Sequence, residues 1–278
     1  MSKKFTKDEL NAQKDTALNE LDKLLADLIA SSDVHLQKKA SLLSYWMQKY
    51  TQYIREEDSF DPTKLKSYKR GDIVKLNFGF NVSSEYGGLH YAIVVNKANA
   101  RNSPVLTVIP LTSPKVGDSV HPNDLFLGNE IYRSLKIKYD TISQNLQRER
   151  EEIKKFQQIF DSHIKLIDEK FDKYDENPTQ NANDLLEIKK HLDDAKKLQA
   201  EWEKKEKYNA EASAQLEKIG AEIKRMKTGS IAVVDQITTV SKMRIYDPRN
   251  AHGVLSGVRL SPDSLDKVNN KLKELFIF

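Results

Sequence analysis

The stretch EYGGLHYAIVV, residues 85–95, sets one histidine between a glycine pair and a wholly apolar run. An imidazole titrates near neutral pH, so His90 can take up or release a proton where few other side chains can. That capacity makes His90 the residue in this stretch whose chemistry needs explaining. The chain has no cysteine, which excludes disulfides, thiolate nucleophiles and cysteine zinc sites. His35, His121, His163, His191 and His252 show no metal spacing with acidic residues, and the glycine arrays of phosphate loops and dinucleotide folds are absent. The expectation is therefore a site with no metal and no cofactor. Each residue also has a plain structural reading. His90 can be a satisfied residue at the start of a buried strand, Gly87 and Gly88 a turn with positive φ, and Thr112 a strand end before Ser113 and Pro114.

Three textures along the chain must position these residues. Residues 6–56 read as two helices: Thr6 and Glu9 fit a capping box, and Leu18, Leu21, Leu24, Leu25 and Leu28 follow at helical spacing. A second stripe runs through Leu36, Leu43, Trp46, Tyr50, Tyr53 and Ile54, and 58–66 reads as a linker. Residues 71–78 (GDIVKLNF), 91–95 (YAIVV) and 105–110 (VLTVIP) are short β-branched strands; 229–245 return to that texture, and SPDS at 261–264 starts a terminal helix. Between the strand blocks, two apolar ladders joined by a Pro/Asn turn at 175–183 predict an antiparallel coiled-coil hairpin with arms of about 65–70 Å.

Composition bounds the function. Of the 278 residues 38% are hydrophobic and 31% charged, and no apolar run approaches the roughly 20 residues that span a bilayer. MSKKFTKDEL has no apolar segment after its lysines, so the expectation is a cytoplasmic protein without a signal peptide. Between 129 and 228 there are 21 basic and 21 acidic residues, so the rest of the chain holds the whole net charge of +4. A modestly basic body suits a polyanion partner.

With the hairpin set aside, four pieces stand in order: KRGDIV (69–74), SEYGGLHYAIVV (84–95), SPVLTVIPLT (103–112) and VDQITTVSKMRI (234–245). Together they resemble the MazF/PemK toxin family of endoribonucleases. The resemblance implies an α+β fold: an SH3-like small β-barrel over 67–128 plus 229–278 with a C-terminal helix. The barrel is interrupted by the coiled-coil insertion at 129–228 and preceded by an N-terminal helical pair at 1–60. It implies a homodimer that cleaves single-stranded RNA through the substrate's own 2′-OH, held in check by an antitoxin protein. His90, Thr112 and Glu85 are the implied catalytic set; Lys69, Arg70, Gly87, Gly88, Ser113, Gln236 and Arg244 are the implied RNA contacts. The family's arginine position is His90 here, and the proline after it is Tyr91. A histidine offers fewer donors to a phosphate than an arginine but can move a proton, which puts a limb between about pH 5.5 and 7.5 in any activity. The alternative is a catalytically inactive module that binds nucleic acid or protein, with the hairpin as its working surface. Residues 1–60 carry two open expectations: they restrain the site from above, or they buttress the domain and its dimer contact through Trp46, Tyr50 and Tyr53.

Overall fold

The computed structural model describes residues 4–115, 117, 119–176, 182–227 and 229–277, so the turn expected at 175–183 lies mostly outside the described residues. Two helices come first. α1 (Lys7–Ala30) opens on the expected capping box, in which the Thr6 hydroxyl accepts from the Glu9 amide and the Glu9 carboxylate from the Thr6 amide. α2 (Val34–Glu56) starts at Asp33, whose carboxylate accepts from the His35 amide at 2.8 Å. Residues 57–68 are not a loose tether. They make 3-10 turns at Glu57–Ser59 and Pro62–Lys64, and then bury Leu65 and Tyr68, whose hydroxyl donates to the Pro248 carbonyl at 2.8 Å.

Seven strands follow: β1 (Ile73–Asn77), β2 (Leu89–Val94), β3 (Val105–Thr112), β4 (Asp124–Gly128), β5 (Ser230–Val233), β6 (Thr238–Ser241) and β7 (Ile245–Asp247). They form one antiparallel sheet in the order β4-β5-β3-β2-β1-β7, with β6 also on β3. Alternation along the strands separates two cores. Val74, Leu76, Ala92, Val94, Leu106 and Val108 point to one face and meet Val240 of β6 and Ile245 of β7. Those last two strands lie on opposite flanks of the sheet, so contributing to one core requires the sheet to curl around it. The sheet nevertheless stays open. From β6 to β7 the chain passes through a 3-10 turn, Lys242–Arg244, which spans the gap without a strand ladder. Lys242 is buried in that turn and donates to the carbonyl of Ala100 at 3.2 Å.

The other face carries Ile73, Ile93, Ile109 and Leu111 and is roofed by helices. α5 (Pro262–Phe276) contributes Val268, under a Ser261 cap with Pro262 in the first turn. The remaining cover comes from two long helices. α3 (Glu130–Glu176) and α4 (Ala182–Arg225) run antiparallel, about 66–70 Å each. Their bases are part of the domain: Ile131, Leu135 and Ile219 are fully or almost fully buried in the sheet's outer core, and Ile223 and Met226 pack against it. Lys138 locks the joint, its ammonium donating to the carbonyls of Gly253, Val254 and Ser256 at 2.7–2.9 Å. Farther out the two arms hold each other through Leu146, Ile188, Ala195 and Ala212.

This anatomy fixes where the insertion can be cut. Replacing 151–208 with a short turn should leave a single cooperative thermal transition, because every outer-core residue remains. Removing 131–226 strips Ile131, Leu135 and Ile219 from the core and should give a product that binds hydrophobic dye and melts without cooperativity. Leu135→Ala alone should cost about 2–5 kcal/mol in denaturant unfolding.

Candidate functional site

β1 and β2 are joined by residues 78–88, which fold back tightly: the Phe78 amide donates to Gly88 O at 2.8 Å and the Gly88 amide to Gly79 O at 2.7 Å. Gly87 lies so close to the opposite strand of this loop that a Cβ would sit 2.9 Å from Gly79 O. Gln236 fastens the loop from outside, accepting from the Tyr86 amide and donating to the Ser84 carbonyl, both at 3.0 Å. Tyr86 is thereby aimed inward.

The Tyr86 hydroxyl is the centre of the site. It donates to the Leu111 carbonyl at 2.5 Å and lies 3.1 Å from His90 Nδ1. The β2–β3 register ends with Ala92 paired to Pro110, and His90 and Thr112 each lie two residues beyond that pair. Burial pushes the Tyr86 phenol up to about 12, so it stays protonated at neutral pH. A phenol has one proton, and the carbonyl of Leu111 can only accept it. The contact with His90 is then a donation from Nδ1–H to the Tyr86 oxygen. This fixes the neutral tautomer of His90 and leaves Nε2 with its lone pair, unpartnered among the described residues. Gly88 lies beside that nitrogen: its φ of +86° suits glycine, and a Cβ there would make an ordinary van der Waals contact with Nε2 at 3.5 Å. Burial also pushes the His90 imidazole below its ordinary value, so the base form dominates at neutral pH.

The remaining residues expected at the site divide. Arg244 lies beside the loop, donating to the Phe78 carbonyl at 3.1 Å and stacking over Trp46 with 5.1 Å to the ring centre. Ser113 follows Thr112 directly and is partly buried. Glu85 is exposed and folds back on its own loop, its carboxylate accepting from the Val82 amide at 3.1 Å rather than from His90. Lys69 and Arg70 stand at the other end of β1. Arg70 donates to the Val95 carbonyl and to Asn269 of α5, and the Lys69 amide donates to Asp72, a buried carboxylate that Arg259 also grips. Those two belong to the β1–α5 joint. Tyr86 is what the sequence reading missed; its signal was a ring four residues before the histidine, across two glycines that let the chain double back.

Tyr91, next to His90, points to the opposite face. Its hydroxyl donates to Glu222 of α4, which also takes the Lys75 ammonium at 2.5 Å. Burial would raise the Glu222 carboxyl, but the bonds from Lys75 and Tyr91 outweigh it and hold the group below its usual range. One strand thus presents the open imidazole on one face and holds the hairpin base on the other.

Residues 69–174 match the sequence model of a PemK-like, MazF-like toxin of type II toxin-antitoxin system. The matched span runs from before β1 well into α3 and includes Tyr86, His90 and Thr112, while β5, β6 and β7 lie beyond it. No curated protein matches the chain. No helix among the described residues is long and apolar enough to cross a membrane.

The tautomer is open to direct measurement. Histidine nitrogen NMR should show His90 titrating below 6.5 with its neutral form protonated on Nδ1, and Tyr86→Phe should lose that preference and cost about 1–3 kcal/mol. Because the folded chain binds this proton more weakly than the unfolded one, the His90 contribution to stability falls as pH drops below about 6.5 and levels off beneath the folded value. His90→Gln should flatten that part of the stability–pH curve.

Proposed function

We propose that this protein, which carries a PemK/MazF-like toxin domain, is the toxin of a type II toxin-antitoxin pair and an endoribonuclease that cuts single-stranded RNA without a metal ion. The observation that carries the reading is His90, held by Tyr86 through Nδ1 with Nε2 left open. Nε2 takes the proton of the substrate's 2′-OH, the 2′-oxygen forms a bond to the adjacent phosphorus, and the bond to the 5′-oxygen breaks. The products are a 2′,3′-cyclic phosphate and a free 5′-OH, whose proton comes from the His90 imidazolium or from water. In this scheme Thr112 donates to a phosphate oxygen, and Arg244 supplies positive charge beside the loop. Gln236, Gly87 and Gly88 shape the loop that holds the substrate, with Ser113 at the start of the facing loop. Glu85 enters this scheme only through loop shape, and Lys69 and Arg70 only as distant phosphate contacts.

The curled sheet corresponds in this reading to the small SH3-like barrel, its last gap bridged by the Lys242–Arg244 turn, and the helical arms to a coiled coil inserted at 129–228. Residues 1–60 form a separate N-terminal unit. An antitoxin as partner, a homodimer and a cytoplasmic location complete the proposal.

The test is incubation with a long unstructured RNA in EDTA. Cleavage by the parent should yield cyclic-phosphate ends, with His90→Ala slower by about 10²–10⁴-fold. Activity should fall as pH drops through a value below 6.5 and stay level above it, since only neutral His90 accepts the proton. His90→Arg should remove that limb. Equal cleavage by the parent and His90→Ala would end the catalytic assignment, and RNA binding without cleavage would leave a binding module.

A further inference from the structure

α2 stands beside the His90 loop without closing onto it. The contact is narrow: the Trp46 ring lies against Gly79, where a Cβ would come within 2.9 Å of the indole, and Arg244 covers the ring from the other side. Around this post lies a cleft of about 1620 Å³, bounded by the helix pair, the 79–90 loop and residues 243–249, with His90 in its wall. Pockets for small ligands run about 300–1,000 Å³, so the space suits a longer occupant.

Among its charged lining residues the cations outnumber the acids by six to three. Lys38, Lys39, Lys49, Lys64, Arg244 and Arg249 line it. Among the described residues none of the six makes an ion pair, although lysines and arginines elsewhere in the chain do so repeatedly. The three acids in the lining are engaged locally: Glu56 with Gln52, Asp61 with Thr63, and Glu85 with the Val82 amide. Rings alternate with the cations. On α2, Lys38, Tyr45, Trp46, Lys49 and Tyr53 recur at spacings that share one helical face. Across the cleft Tyr246 is 67% exposed, and Tyr45 is 55% exposed on the near side.

We propose that this cleft is a binding groove for the single-stranded RNA flanking the cleaved bond, with α2 as one wall. The inference rests on the nuclease reading for its catalytic end and on the cleft's own chemistry for the rest. Unpaired cations neutralise the phosphates, and exposed rings stack on bases that a single strand leaves free. From Lys38 to Tyr53 the wall is about 22 Å long, room for roughly six nucleotides at the 3.4 Å rise of a stacked strand. His90 is part of the groove's wall, so a strand lying in it can bring a phosphodiester to Nε2.

The experiment uses the full chain with a Lys38→Glu/Lys49→Glu double variant and a Tyr45→Ala variant, their folding checked by circular dichroism and thermal melting. The probe is a fluorescent 12-nucleotide RNA with every 2′-OH methylated, which cannot be cut. The double variant should bind it roughly tenfold more weakly at moderate salt, with a salt slope shallower by about 1.4, the share of two phosphate contacts. For cuttable RNA of that length KM should rise by a similar factor with kcat unchanged, and Tyr45→Ala should weaken binding without changing the slope. An unchanged Kd and slope in the double variant would overturn the groove. Faster cleavage by these variants would overturn it too, since α2 would then be a restraint. Salt-dependent binding through Lys38 and Lys49 in a protein that cleaves nothing would sink the nuclease reading and leave the groove standing.

Discussion

A β-strand has two hydrogen-bonding edges, and β3 uses both to the full. One edge takes β2; the other is shared end to end by β6 along Val105–Val108 and β5 at Leu111 and Thr112. All other strands reach the sheet through one of these three. One edge can serve two successive partners only if they diverge, and the 3-10 turn Val234–Gln236 makes the change of direction between β5 and β6. Gln236 ends that turn, so the device that splits the edge also supplies the side chain that pins the loop before His90.

The same economy appears in β2. Its alternation sends Ala92 and Val94 to the inner core and Ile93 to the outer one. Continued toward the strand's start, it sends His90 to the site and Tyr91 to the helical base. A polar or flexible outer face would let β2 twist, but the Lys75–Glu222–Tyr91 cluster holds it against α4. That attachment steadies an imidazole whose one hydrogen-bond partner among the described residues is a phenol oxygen. The N-terminal helices stand apart from this arrangement. They bury few of their own side chains and leave Leu10, Leu18, Leu24 and Leu42 exposed, touching the β domain through one tryptophan and its neighbours.

Much of this was legible in the residues. Capping signals at Thr6 and Ser261, β-branched runs, and heptad ladders each reflect local physics, and each stands where the sequence put it. The strand beginnings and ends that carry His90 and Thr112 were legible as well. Three things were not. Tyr86 reads as one aromatic among eleven tyrosines, and only the fold-back at Gly87 and Gly88 turns its hydroxyl toward Nδ1. Glu85 sits beside it in sequence, yet a loop this tight lets neighbours point apart, and its carboxylate satisfies the nearest free amide. The hairpin's ladder looks the same from end to end; that its lowest rungs also serve the sheet depends on what lies opposite them, which no period in one segment reveals.

The placement of the insertion bears on how the chain finds its fold. β4 and β5 are paired neighbours, yet about 100 residues separate them. For a flexible loop of that length, bringing the ends together costs about 4 kcal/mol in chain entropy alone, and such distant pairings slow folding. Here most of the described residues between them lie in α3 and α4. Contacts near the far end, such as Lys170 with Glu187, join residues fewer than twenty apart, and each further turn of zippering is equally short-ranged. By the time the arms have closed down to Leu135 and Ile219, β4 and β5 meet as if joined by a tight turn. The longest excursion of the chain is, in folding terms, a sequence of local steps.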